Sequence, residues 1–160
     1  MKALLLIALS LLAVAGEKEK MEELYKEIKL EFPNVPDITA AGLKNTIDSN
    51  SKIIIVDVRS VEERRISTIQ NSITEETFYQ NQDSYKSHRI VAYCTIGYRS
   101  AKFIQAIRKK GFHAMNLAAG ILACLHVGGV VIDSSGTETK KVHVYGKKWA
   151  LAPIGYDQIY

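Results

Sequence analysis

Three features of this sequence predict an α/β fold with a mainly parallel central sheet flanked by helices. The first is "KIIIVDVR" (52–59), a continuous run rich in β-branched residues. It lacks the alternation of a half-exposed strand and so reads as a strand buried on both faces. The second is the same pattern in "HRIVAYC" (88–94), followed at once by a segment of helical period. The third is the regular alternation of such strands with helices, as in sheets built from crossover units. At 160 residues, 47% hydrophobic and 24% charged, the chain has the composition of one globular domain, and it contains no internal repeat.

The remaining elements follow in order. "EKEKMEELYKEIKLEF" places Met21, Leu24, Tyr25 and Ile28 on one helical face, with Pro33 and Pro36 as the stop. "DITAAGLKNTIDSNSK" predicts a short helix capped by Thr39, with Leu43 and Ile47 four apart and an Asn/Ser-rich turn at its end. After the second buried strand, "SAKFIQAIRKKGF" puts Phe103, Ile104 and Ile107 on one face, with Gly111 as the exit. "HAMNL" reads as a third short strand, "AGILACLHVGG" as a helix and "KVHVYG" as a late strand, with an irregular tail through Pro153 to Tyr160.

The first residues read as a secretory signal peptide. Lys2, an apolar run from Ala3 to Leu12 and the small-residue sequence Ala13-Val14-Ala15 precede an abrupt change to charged residues. The run is shorter than the roughly 18–20 residues of a bilayer crossing, so the expectation is cleavage after Ala15 rather than stable membrane insertion. The expected organisation is therefore signal peptide 1–15, amphipathic leading helix and connector 16–37, core domain 38–133, and a C-terminal extension 134–160 packed on the domain. The expected location is outside the cytoplasm, in a periplasm or secreted.

Lys and Arg number 21 against 17 Asp and Glu, a balance too mild to imply nucleic acid as partner. His88, His113, His126 and His143 have no metal-ligand spacing with one another or with Cys94 and Cys124, so no metal and no cofactor is expected.

The chemistry concentrates in "YCTIGYRSAKF" (93–103). Cys94 lies where a strand gives way to a helix, the edge at which open α/β sheets collect their sites. Thr95, Ile96, Gly97 and Tyr98 separate it from Arg99, and so short a segment with a glycine can curl its N–H groups inward as an anion cradle. The positive end of the next helix and the Arg99 guanidinium should favour a thiolate, making Cys94 a nucleophile. The alternative is that Cys94 is a small core residue at a strand end.

These residues resemble the rhodanese superfamily from about Ile38 to Val131. "CTIGYRSA" looks like the family's cysteine loop, in which four variable residues precede an arginine and a small residue. "DVRSVEERRISTIQNSI" lines up with an upstream block in which Asp57, Arg59 and Glu63 match, although Ser67-Thr68 stand at a usual Gly-His and Gln70-Asn71-Ser72 at a usual Pro-Gly-Ala. "GFHAMNLAAGILACLHVGG" looks like the closing block, with Ala119 at a glycine and Cys124 at a tryptophan.

The resemblance implies a single rhodanese-like domain and a thiosulfate-type sulfurtransferase. Cys94 would carry sulfur as a persulfide from a small sulfur-containing anion or persulfide donor to a thiol or cyanide acceptor. It also implies that Arg99 either binds donor or bonds an upstream acidic residue. Asp57 and Arg59 are expected as supporting residues that organise the loop and sheet. Cys124 is either a packed cysteine or a resolving thiol for Cys94.

Two other functions remain in view. A related phosphatase class has five residues between cysteine and arginine, and the four here favour sulfur. A binding, sulfur-carrier or redox-sensing module with little turnover is the alternative of another class. No protein partner is indicated, and a monomer is expected.

Overall fold

The structure, a computed structural model, describes residues 2–48 and 52–160, with side chains described from Gly16 onward except that of Asp48. In chain order the elements are α1 (Lys2–Glu31), β1 (Asp37–Ile38), α2 (Ala40–Asp48), β2 (Ile53–Asp57), α3 (Val61–Ile66), β3 (Thr68–Ile69), β4 (Ile73–Thr74) and α4 (Glu75–Gln80). A 3-10 turn (Gln82–Tyr85) leads to β5 (Arg89–Tyr93), α5 (Tyr98–Lys109), β6 (Ala114–Leu117), α6 (Gly120–His126), β7 (Val131–Ile132), β8 (Lys141–His143), a second 3-10 turn (Lys147–Trp149) and β9 (Asp157–Ile159).

Five strands form one sheet in the order β1-β6-β5-β2-β4, and every pairing within it is parallel. The two β-branched runs lie side by side, with Ile53 opposite Arg89 and Asp57 opposite Tyr93. Ile90, Val91, Ala92 and Tyr93 are all fully buried, and because successive strand residues point to opposite faces, both faces of β5 are covered. That is why the run carries no polar alternation. It also sends Asp57 and Cys94 to the same carboxyl edge of the sheet.

Helix α1 buries Met21 and Ile28 against the core, with Leu24 and Tyr25 partly buried beside them, on the face its periodicity marks. The signal-peptide expectation concerns Met1 and the side chains of residues 2–15, which lie outside the described residues; the backbone from Lys2 is part of α1. Among the described residues, no helix is long and apolar enough to cross a membrane. Thr39 Oγ1 caps α2 by accepting from the Gly42 N–H at 3.1 Å. Leu43 is buried, whereas Ile47, on the last turn of α2, is exposed. The Asn/Ser-rich turn expected at 49–51 lies outside the described residues.

The tail corrects one expectation. Residues 153–160 were expected to be irregular, but β9 pairs in parallel with β8, Val142 opposite Gln158. Three residues of mixed polarity have no period to read; the pairing depends on β8 already being packed, with Val142 and Val144 fully buried.

The closing block explains one departure from the family pattern. Ala119 sits at φ 54° immediately before Gly120 at φ 57°, a left-handed pair in which only the second residue is glycine. A Cβ on Gly120 would lie 2.2 Å from the Cys94 carbonyl oxygen, so no side chain fits there. Ala119 has room but carries the cost of left-handed backbone, roughly 1 kcal/mol. Ala119→Gly should therefore raise stability to urea by up to about 1 kcal/mol without altering the slope of the transition, a gain measurable by equilibrium denaturation.

Candidate active site

Cys94 follows β5 directly, and the loop it opens is tied to the rest of the fold at both ends. Its carbonyl accepts from the Ile121 N–H at 2.9 Å, and the Thr95 carbonyl accepts from Leu122 N–H at 3.4 Å, so the first turn of α6 holds the loop's start. Gly97 adopts φ 102°, which turns its own N–H back onto Cys94 Sγ at 3.2 Å. The Ser100 hydroxyl donates to the same sulfur at 3.6 Å from the first turn of α5. The sulfur thus faces one backbone donor and one hydroxyl donor, both suited to a thiolate or persulfide anion. The backbone donor lies in the expected cradle; Ser100 was not singled out from sequence, because a small residue after the arginine reads as helix packing.

Gly97 is held from its other side as well. Asn116 Nδ2 on β6 donates to the Gly97 carbonyl at 3.1 Å and to the Tyr25 hydroxyl at 3.0 Å, and Tyr25 in turn donates to Asp37 Oδ1 at 2.7 Å. A Cβ on Gly97 would come within 2.6 Å of the Tyr25 ring. Helix α1 therefore packs directly on the cysteine loop, a contact that no local pattern announces. Burial, with Asp37 as hydrogen-bond partner, pushes the Tyr25 phenol well above its usual range, which keeps it a neutral donor and acceptor.

Arg99 points to Glu63. Its Nη1 and Nη2 donate to Glu63 Oε2 and Oε1, both at 2.7 Å, a bidentate pair that spans the loop and α3. Glu63 also accepts from Thr95 Oγ1 at 3.1 Å and from the Ser60 N–H at 2.9 Å, closing a capping box with Ser60. The signal for this acid was present as Ser-x-x-Glu in "SVEE", a helix-start pattern. Burial alone would raise the Glu63 pKa, but hydrogen bonds from Arg99 and Ser60 and the nearby guanidinium charges lower it to about 2. Of the two roles the resemblance implies for Arg99, the geometry shows the bond to an upstream acid. The exposed side of its guanidinium lies over the Tyr145 ring, 5.0 Å from the centroid.

Asp57 and Arg59 form a second, deeper pair. Asp57 Oδ1 accepts from Arg59 N and Nε at 3.0 and 2.9 Å, while Oδ2 accepts from Arg59 Nη2 at 2.7 Å and the Tyr93 hydroxyl at 2.5 Å. Arg59 Nη2 also donates to the Ser67 carbonyl at 2.6 Å. Both side chains are buried, Asp57 at 1% and Arg59 at 2% exposure, so this pair joins β2, β5 and the chain after α3 beneath the loop without facing the cleft.

Above Cys94 lies a cleft of about 530 Å³. Its floor is Cys94 to Ile96, Tyr98 and Arg99; one wall is α1 through Leu24, Glu27, Ile28 and Glu31, and the other is the extension through Tyr145, Lys148 and Trp149. The stripe 24, 27, 28, 31 is one face of a helix. Cys94 is only 1% exposed, so a reactant reaches it through this cleft.

Cys124 lies in α6, and both cysteines are free thiols. Burial pushes the Cys124 thiol up to about 12. Among the described residues, no group of three or more His, Cys, Asp or Glu is placed to hold a metal ion.

A rhodanese-like domain matches residues 39–125, and the chain belongs to that family. No curated protein matches it. Among solved structures, a rhodanese-like domain protein from Staphylococcus aureus is 31% identical at a TM-score of 0.51, over 56% of this chain and 91% of that one. A thiosulfate sulfurtransferase from Pseudomonas aeruginosa aligns at a TM-score of 0.60 and 16% identity, over 74% of this chain but only 24% of its own length. A protein of unknown function from Rhodopseudomonas palustris, described as a possible tyrosine phosphatase, aligns at 0.54 and 20% identity, over 70% of this chain and 93% of that one. The last two share the fold with this chain.

The Glu63 carboxylate has a folded pKa near 2 against an ordinary value of 4.5, so it stabilises the fold above about pH 4.5, and that contribution is lost as pH falls toward 2. Thermal melts across this window should show the loss in the native protein. Glu63→Gln should cost about 1–3 kcal/mol at neutral pH and flatten the acid dependence between those limits.

Proposed function

We propose that this protein is a sulfurtransferase in which Cys94 carries sulfane sulfur as a persulfide. The observation that carries this reading is the placement of Cys94 Sγ at the floor of a cleft, facing the Gly97 N–H and the Ser100 hydroxyl across a loop of four intervening residues. In the first step the Cys94 thiolate attacks the outer sulfur of a thiosulfate or persulfide donor. A new S–S bond forms, the donor's own S–S bond breaks, and sulfite or a thiolate leaves with the electron pair. In the second, a thiol or cyanide takes the outer sulfur and returns the Cys94 thiolate. The two donors at Sγ stabilise the anionic persulfide between these displacements.

Arg99 supports the reaction by holding the loop through Glu63, and Asp57 and Arg59 support the sheet edge beneath it. Cys124 is read as a packing residue, since a thiol pushed up to about 12 is scarcely ionised at neutral pH and attacks a persulfide poorly. The signal-like sequence of residues 1–15 supports export to a periplasm or the medium. The loop length favours sulfur over phosphate esters, because a loop one residue shorter encloses a smaller anion.

Incubation of the purified protein with thiosulfate or an organic persulfide should add one sulfur to Cys94, visible by mass spectrometry, and cyanide should then release thiocyanate. Cys94→Ser should lose both signals. A variant that keeps either one removes Cys94 from the mechanism, and loading without turnover identifies a carrier or sensor instead.

A further inference from the structure

We infer that the cleft selects an organic hydropersulfide with an apolar body over an inorganic sulfur dianion, and that the two segments flanking the family's matched block make the selection. The inference rests on the sulfur-transfer reading of Cys94 and concerns the donor it accepts.

Size is the first argument. A volume of about 530 Å³ suits a whole organic molecule, and a sulfur oxyanion would occupy a small part of it. The surroundings are the second. Leu24 and Ile28 on α1, Tyr98 on the loop and Trp149 on the extension form a largely apolar wall that an inorganic anion cannot use. Residues 24, 28 and 149 all lie outside the matched block 39–125, so this wall is an addition to the family core.

Charge is the third. Thiosulfate is a dianion, and its capture calls for an excess of positive charge at the cleft. Arg99 is the one cation on the loop itself; both its terminal nitrogens are bonded to the Glu63 carboxylate, which matches its charge, although it also acts on the Cys94 sulfur. Lys148 remains on one wall, and Glu27 and Glu31 oppose it from the other. The cleft therefore carries no excess of positive charge to concentrate a dianion, whereas a neutral hydropersulfide needs none.

The transfer balances for such a donor. The Cys94 thiolate bonds to the terminal sulfur of R–S–SH, the bond between the two donor sulfurs breaks, and R–S⁻ departs with its electron pair. The proton stays on the transferred sulfur or passes to solvent.

The test measures single-turnover loading of Cys94 by mass spectrometry with three donors: thiosulfate, benzyl hydropersulfide, and the hydropersulfide of 2-mercaptoethanesulfonate. The last separates charge from organic character. The native protein should load fastest from the benzyl donor. Glu27→Lys with Glu31→Lys should shift the benzyl-to-thiosulfate ratio about tenfold toward thiosulfate, and the sulfonate donor should move in the same direction. Trp149→Ala should lower the benzyl-to-thiosulfate ratio by about tenfold, with Trp149→Phe restoring most of it while preserving the packing. Loading of Cys94 with ratios unchanged in all three variants overturns the selection alone. Failure of every donor to load Cys94 overturns the sulfur-transfer reading and the selection with it.

Discussion

The Glu63 carboxylate is the constraint on which the site depends. It is 1% exposed and takes hydrogen bonds from Arg99, Thr95 and the Ser60 backbone. A carboxylate this deep is tolerable only when its lone pairs are satisfied and an opposite charge lies in contact, and Arg99 meets both needs with one planar group. Because Arg99 lies in the first turn of α5, Thr95 in the loop just before it and Ser60 at the cap of α3, one acid ties the cysteine loop to a segment 36 residues away in sequence. Without it the four-residue loop would lose the anchor opposite its cysteine.

The same interaction determines what the loop offers a reactant. An arginine held bidentate by a carboxylate is first a structural clamp; its charge still acts on the Cys94 sulfur, which takes its hydrogen bonds from the Gly97 N–H and the Ser100 hydroxyl. Gly97 reaches the sulfur because its backbone is left-handed, and it stays there because Asn116 holds its carbonyl and the Tyr25 ring fills the space where a side chain would be. The leading helix thus takes part in the geometry of the loop as well as in the core. The extension closes the opposite side, where Tyr145, itself at φ 68°, lays its ring on Arg99. The family core supplies the cysteine loop, and the flanking segments supply the space around it.

Much of this is legible in the sequence. The β-branched runs marked the interior strands, although Ile53 and Ile54 at the start of β2 are only half-buried; the spacing of Met21, Leu24, Tyr25 and Ile28 marked the buried face of α1; and Cys94 with Arg99 after four intervening residues marked the loop. The segment from Ser60 to Tyr85 was less legible, because its helices and strands run two to six residues, too short for a hydrophobic period to repeat. Its one clear signal was the Ser-x-x-Glu cap, which identifies a helix start but not that the same glutamate turns inward to meet Arg99. The pairing of β9 with β8 was hidden for a related reason, since three residues of mixed polarity have no preference until a neighbour presents an edge.

By itself, the sequence determined the class of fold, the strand order's buried centre and the position of the cysteine loop between β5 and α5, because these follow from patterns of polarity and spacing within a few residues of one another. Only the tertiary structure decided that Arg99 is matched by Glu63, that Tyr25 and Asn116 hold Gly97, and that α1 and the extension wall the cleft. The hydrogen bonds among these join residues 19 to 91 positions apart. Their partners are chosen by packing, which no local pattern encodes.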